Sequence, residues 1–79
     1  MRLEITTPEK IQFSGEVNAV TLPGELGLFT VLENHAPIIS TLVKGNIMYR
    51  TAEKEFFLEI ASGFVDVNKN NVNVCAELP

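Results

Sequence analysis

The sequence contains few of the residues from which active sites and covalent cross-links are built. Its 79 residues include one cysteine, Cys75, and one histidine, His35. Cys75 has no partner for an internal disulfide, which is typical of proteins from a reducing compartment. One cysteine and one histidine cannot supply the four ligands of a zinc site. Nucleophilic catalysis needs a nucleophile beside an oriented base, and nothing near His35 in the sequence provides that set. We therefore predict no enzymatic activity, no catalytic residues, no metal and no cofactor.

Clusters of positive charge are also missing. Ten acidic residues outnumber six basic ones, for a net charge of −4, and the basic residues are scattered singly along the chain. Binding to a nucleic acid requires several cations on one face, and so does binding to an anionic lipid surface. The sequence therefore predicts neither a nucleic-acid partner nor direct attachment to a membrane surface.

No long hydrophobic run occurs. The first eight residues contain Arg2 and Glu4 and no apolar run, which is unlike a secretory signal peptide. The longest uncharged stretch, residues 34–43, is far shorter than the ~20 apolar residues that a membrane-spanning helix needs. Any association with a membrane is therefore expected to come through a partner.

What the sequence does contain is a succession of short apolar segments separated by turn signals. Apolar residues make up 46% of the chain and charged ones 20%, so a disordered tail is excluded. Phe56, Leu58 and Ile60 alternate with outward-facing positions such as Glu55 and Glu59, as in a half-buried strand. No window shows a helical stripe. These patterns predict one all-β domain over residues 1–79, an antiparallel sandwich or small barrel.

Two features could in principle carry chemistry. Glu55 and Glu59 share a strand face and could pair as in glycoside hydrolases, although solvated surface charges are the simpler interpretation. The Gly24–Gly27 stretch lacks the lysine and the helix start of a phosphate-binding loop. We predict a tight turn after Pro23, in which glycine supplies a positive φ.

Residues 20–42 are unusually rich in large apolar side chains for a segment that also contains turns. Because a small sandwich has a single inner layer, these side chains either complete the core at one end or form an exposed partner surface. The residues alone leave both possibilities open. His35, within this segment, is interpreted as a hydrogen-bonded structural residue rather than a pH switch. Cys75 falls on the polar side of the last strand and is interpreted as inert.

Motifs in the same segment have a known counterpart. Residues 20–24 (VTLPG), 27–32 (GLFTVL) and 35–38 (HAPI) are followed by residues 60–67 (IASGFVDV) and 71–74 (NVNV). Together they resemble the epsilon subunit of F-type ATP synthases, in which the first region reads G-E-F-G-V-L-P-G-H-A-P. The resemblance extends over essentially the whole chain.

The resemblance implies an antiparallel β-sandwich of about ten short strands in the central stalk of a proton-translocating ATP synthase. It implies a non-catalytic rotor part that couples the c-ring to the gamma subunit during ATP synthesis. Such a subunit lies at the cytoplasmic face of the bacterial inner membrane, peripherally, without inserting into it and without a small-molecule substrate.

The resemblance also assigns two contact surfaces, which favours a partner role for the exposed apolar side chains. The surface facing the c-ring would comprise Glu25, Leu26, Gly27, Leu28, Phe29 and Thr30. The surface facing gamma would comprise Thr7, His35, Ala36, Pro37 and Ser40.

The sequence departs from the family pattern in three places. Glu33-Asn34 stands where Pro-Gly is common, and Leu28 stands where many members have an acid, so a more apolar ring contact is expected. Typical members continue into a C-terminal helical hairpin that restrains ATP hydrolysis, whereas this sequence ends at Pro79. Either the subunit is naturally short or the sequence is part of a longer one.

Two alternative hypotheses remain: a free-standing sandwich that binds a ligand or a protein, and a hydrolase that uses paired carboxylates.

Overall fold

The computed structural model describes all 79 residues and consists of β-strands joined by turns and short loops. It contains nine strands, β1 (Arg2–Thr6), β2 (Ile11–Glu16), β3 (Ala19–Gly24), β4 (Gly27–Leu32), β5 (Ile38–Leu42), β6 (Gly45–Arg50), β7 (Glu55–Ile60), β8 (Ser62–Asn68) and β9 (Asn71–Glu77). The predicted all-β class is confirmed, with nine strands in place of about ten. No helix in the structure is long and apolar enough to cross a bilayer.

Period-two alternation explains why these segments are strands. In β9, Val72, Val74 and Ala76 are buried, while Asn73 and Cys75 between them are exposed. β8 follows the same rule, and β7 places Phe56, Leu58 and Ile60 inward as predicted. The inward-facing side chains of these strands therefore meet in one core, which the curled sheet encloses.

The strands form a single sheet that folds back on itself. Its order is β2-β1-β9-β8-β5-β3-β6-β7, with β4 on the other edge of β3. β3 pairs with β6 through Ala19–Thr21 and with β5 only at Gly24, opposite Leu42. The sheet therefore has two layers, one containing β5 and the other β6. β3 belongs to both layers, because its pairing passes from β6 to β5 along its length.

The predicted antiparallel arrangement holds for every strand pair but one. β1 and β9 run parallel, with Leu3 opposite Val72 and Ile5 opposite Val74. A parallel pair cannot be joined by a tight turn and needs a long connection, which here is the whole intervening chain. Turn signals in the sequence predict pairing only between consecutive strands, so they could not reveal the pairing of β1 with β9.

Two tight turns have the backbone that their residues favour. In the β8–β9 hairpin, Lys69 and Asn70 have φ values of 50° and 61°, as a type I′ turn requires. The β3–β4 hairpin turns at Glu25 and Leu26, and Gly27 follows with a φ of 126°. The predicted tight turn with a positive-φ glycine is therefore confirmed.

The core contains 16 buried residues. The largest fully buried side chains include Leu3, Ile5, Leu22, Leu42, Ile47 and Ile60. The aromatic ring of Tyr49 lies between Phe13 and Phe56, with ring centroids 4.5 Å and 5.2 Å away. Burial raises the pKa of the Tyr49 phenol, because desolvation disfavours the phenolate.

Candidate protein-interaction surfaces

The tip of the β3–β4 hairpin presents apolar side chains to solvent. Leu26, at the turn, is fully exposed, and Leu28 is 68% exposed. Two backbone hydrogen bonds hold the base of the tip against the end of β5. The Glu25 amide donates to the Thr41 carbonyl at 3.3 Å, and the Val43 amide donates to the Pro23 carbonyl at 2.9 Å. The exposed leucines are therefore carried by an anchored turn.

A groove of about 500 Å³ separates the hairpin tip from β5. Residues 24–29 line one side and residues 38–41 line the other. Ile39, on the β5 side, is 68% exposed and joins Leu26 and Leu28 in one apolar surface. The groove therefore includes Ser40, from the predicted gamma surface, together with residues of the predicted ring surface.

The structure resolves the choice left open for residues 20–42, because the segment is divided between core and surface. Leu22, Val31 and Leu42 are buried in the core. Leu26, Leu28, Leu32 and Ile39 remain exposed. The segment therefore contributes to the core and also exposes apolar side chains, for which a partner role stays a prediction.

Residues 33–37 link β4 to β5 through a hydrogen-bonded turn. The His35 amide donates to the Leu32 carbonyl at 3.2 Å. Asn34 has a φ of 65°, so the turn has the positive φ at its third residue that defines type II. Asparagine tolerates this left-handed conformation better than other residues with a side chain. Asn34 thus adopts the positive φ that a glycine would supply at this position, so Glu33-Asn34 can form the same turn as the Pro-Gly common in the family.

The other residues of the predicted gamma surface differ in exposure. His35 is half-buried, with its Nδ1 atom 2.7 Å from the carbonyl oxygen of Ala36. Ala36 and Pro37 are exposed, and Ser40 is half-buried with its hydroxyl donating to the Thr41 carbonyl at 3.1 Å. The hydrogen bond of His35 agrees with its interpretation as a structural residue.

Thr7 stands apart from this group. Its side chain is 4% exposed, donates to the Lys10 carbonyl at 3.1 Å and accepts from Gln12 Nε2 at 3.1 Å. It follows the end of β1 that pairs with Cys75, whereas residues 33–37 contact Asn70 beside the other end. The structure therefore does not bring Thr7 together with His35, and its hydroxyl is occupied within the β1–β2 turn.

A second exposed apolar area, not found from the sequence, lies on the outer face of β3, β4, β6 and β7. Met48 pairs with Thr21 on one side and with Phe57 on the other. Phe57 is 60% exposed, and Leu32 on the same face is 56% exposed. The available signal was the Phe56-Phe57 pair, because neighbouring residues of a strand must face opposite ways.

The carboxylates considered for hydrolysis lie on this same outer face. Glu55 pairs with Arg50, its Oε2 atom 3.4 Å from Arg50 Nη2, and both side chains are exposed. Glu59 lies opposite Asn46, two strand positions beyond Phe57. This arrangement fits solvated surface charges, and no group of three or more His, Cys, Asp or Glu side chains forms a metal site.

Comparison with known proteins identifies the family. The model of the ATP synthase delta/epsilon chain β-sandwich domain matches residues 1–78. The chain belongs to this family. Membership confirms the resemblance drawn from the motifs and the all-β class.

Relatives from bacteria carry the same family name. The ATP synthase epsilon chain of Leptospira interrogans is 35% identical over 77 residues, covering 98% of this chain and 61% of the relative. That of Chlorobaculum tepidum is 41% identical over 76 residues, covering 95% of this chain and 86% of the relative. The chain thus spans about three fifths of several epsilon chains that it matches.

Solved structures show the same fold. A chain in the Euglena gracilis mitochondrial ATP synthase structure, which contains OSCP, F1 and the c-ring, superposes with a TM-score of 0.87 at 25% identity, covering 94% of this chain and 48% of that one. A chain in the Tetrahymena thermophila central stalk/c-ring structure superposes with a TM-score of 0.84 at 14% identity. That match covers 98% of this chain and 63% of the other, and it shows the fold alone.

Proposed function

We propose that residues 1–79 act as one rigid epsilon-type domain that couples the c-ring to the gamma subunit in a proton-translocating ATP synthase. The observation that carries the proposal is the anchored hairpin tip, with Leu26 and Leu28 exposed on a turn tied to β5. An exposed apolar surface of this kind is typical of a partner contact. The domain would contribute to ATP synthesis mechanically, without binding nucleotide.

The contact with the c-ring would use residues 25–30. Leu28 and Leu26 supply apolar area, and Glu25 and Thr30 are exposed beside them. With Leu28 in place of the acid common in the family, this contact would depend more on apolar burial than on charge. The ring would hold the domain at the membrane peripherally, at the cytoplasmic face of the bacterial inner membrane.

The contact with gamma would use His35, Ala36, Pro37 and Ser40. Ala36 and Pro37 are exposed, and Ser40 borders the groove beside the hairpin tip. Thr7 would contribute only through the β1–β2 turn that its hydroxyl holds together. Because the ring surface and the gamma surface meet at one groove, the domain could bind the c-ring and gamma at the same time.

Torque transmission requires that the domain not deform between the two contacts. Forty-seven backbone hydrogen bonds and one close-packed core support such stiffness. A contact that does not slip would bury ~1,200 Å² or more of surface, counted over both partners.

Reconstitution tests the proposal. The chain is mixed with purified gamma and with detergent-solubilised c-ring, separately and together, and the products are separated by size. A complex of all three components is the expected result. A chain that stays monomeric in the presence of both partners would refute the proposed coupling role.

A further inference from the structure

Two asparagines from distant parts of the sequence are joined side by side at the end of the sheet. The backbone amide of Asn34 donates to Asn70 Oδ1 at 2.6 Å, and Asn70 Nδ2 donates to Asn34 Oδ1 at 3.1 Å. Both residues have a left-handed backbone, with φ values of 65° and 61°. The pair connects the β4–β5 loop to the β8–β9 turn.

Asn70 is itself firmly held. It lies in the type I′ turn between β8 and β9, two strands that pair along their whole length. Its carbonyl also accepts a hydrogen bond from the Arg2 amide at 2.9 Å, which fixes the turn to β1. The Asn70 side chain therefore extends from a rigid base.

The β4–β5 loop, in contrast, has few fixed points. Within residues 33–37, the hydrogen bonds are the His35 amide to Leu32, the contact of His35 with Ala36, and the two bonds to Asn70. Only the bonds to Asn70 join this loop to another element outside its own flanking strands. The conformation of the loop therefore depends on one side chain that is distant in sequence.

We propose that Asn70 is a positioning residue, which holds residues 33–37 in the conformation that binds the gamma subunit. The inference rests on the proposed function, because it assumes that this loop meets gamma. A loop already held in its bound conformation does not lose that freedom on association, so the complex is tighter. Asn70 would act through the loop, without touching gamma itself.

A pair of glycine substitutions in one turn tests the proposal. Asn70→Gly removes both hydrogen bonds to the loop and keeps a residue suited to φ > 0. Lys69→Gly is the matched control, because Lys69 occupies the same turn with φ 50° and makes no side-chain hydrogen bond to the loop. Both variants should stay folded, because glycine is suited to the positive φ at either position. The melting temperature of each variant checks this.

The affinity for gamma should separate the two variants. Losing about 1 kcal/mol of hydrogen bonding corresponds to a roughly fivefold weaker complex for Asn70→Gly. Lys69→Gly should bind as the unaltered chain does. Asn70→Asp should restore most of the affinity, because its carboxylate can still accept from the Asn34 amide; a purely structural role in the turn would not produce this rescue.

Hydrogen exchange separates the failure of this inference from the failure of the proposed function. In the free chain, the Asn34 amide should exchange faster in Asn70→Gly than in the unaltered protein, and this measurement needs no gamma. If the unaltered chain does not bind gamma, the proposed function fails. If it binds gamma and Asn70→Gly binds equally well, the coupling role stands and the positioning role of Asn70 is refuted. Unchanged exchange at Asn34 would refute it as well.

Discussion

The backbone amide of Glu25 is hydrogen-bonded to the carbonyl of Thr41, so the turn of the β3–β4 hairpin is tied to a strand of the opposite layer. A free hairpin tip would bend under lateral force. This one is fixed by that bond and by the neighbouring Val43–Pro23 bond. The arrangement makes the tip a suitable point of contact for the proposed ring partner.

Leu28→Asp should weaken binding to the c-ring by about tenfold or more and leave the fold intact. Leu28 is 68% exposed, so the charge remains solvated in the free chain and is buried only in the complex. Binding is measured by sedimentation with the detergent-solubilised ring, and stability by urea unfolding.

Leu32→Asp is the matched control for Leu28→Asp. It introduces the same charge on the same strand at a side chain that is 56% exposed but distant from the turn. It should leave ring binding nearly unchanged. Equal loss of binding in both variants would contradict the assignment of residues 25–30 as the ring contact, and a loss of several kcal/mol of stability would place Leu28 in the core.

Leu22→Ala should destabilise the fold by about 3 kcal/mol, because it removes a fully buried side chain and leaves a cavity. Leu26→Ala, at a fully exposed position in the turn, should change the free energy of unfolding by less than about 0.5 kcal/mol. Chemical denaturation of both variants measures the difference. Similar effects from the two substitutions would be incompatible with the core described above.

Gly27→Ala should destabilise the hairpin through backbone strain alone. Gly27 has a φ of 126°, and a Cβ atom at this position would meet no atom within 4 Å, so no steric clash contributes. A cost of about 1–2 kcal/mol is expected from the unfavourable φ. Thermal unfolding measures it, and an unchanged melting temperature would show that the turn can relax to a negative φ.

Stability should fall at alkaline pH because of Tyr49. Burial raises the pKa of its phenol above the ordinary value of 10.0, so the folded state holds the proton more tightly than the unfolded state does. The resulting stabilisation is fully present below the unfolded pKa and is lost as pH rises through the folded pKa.

The single tyrosine makes this pH effect measurable. Ultraviolet absorbance of the tyrosinate should show ionisation later in the folded chain than in urea. Tyr49→Phe should remove this group's share of the alkaline loss of stability. A folded-state titration that coincides with the unfolded one would contradict the burial of the phenol.

The sequence predicted the local features of the fold but not its long-range pairing. Alternation correctly placed Phe56, Leu58 and Ile60 inward, and the Gly24–Gly27 turn formed as expected. These features depend on neighbours in the chain. The parallel pairing of β1 with β9 depends on residues some 70 positions apart, for which periodicity carries no signal.

For the candidate surfaces, the sequence also indicated single exposed positions but not contacts between distant residues. The motif resemblance selected the hairpin tip, whose leucines are indeed exposed, but it included Thr7, whose hydroxyl is buried in a turn. Nothing in the sequence linked Asn34 to Asn70, because each asparagine taken alone is an ordinary turn residue. Their juxtaposition follows from the sheet order, which only the folded structure provides.

The parallel partnership of the first and last strands also constrains how the chain can be made. β1 and β2 can pair as a hairpin early in synthesis, but β1 has no second neighbour until residues 71–77 have left the ribosome. An N-terminal hairpin with an open edge must therefore wait until nearly all of this domain has been synthesised, and it is vulnerable to association with other nascent chains in that interval. Completion of the sheet is thus the last step in the synthesis of this domain, and a chain terminated before β9 could not close the core.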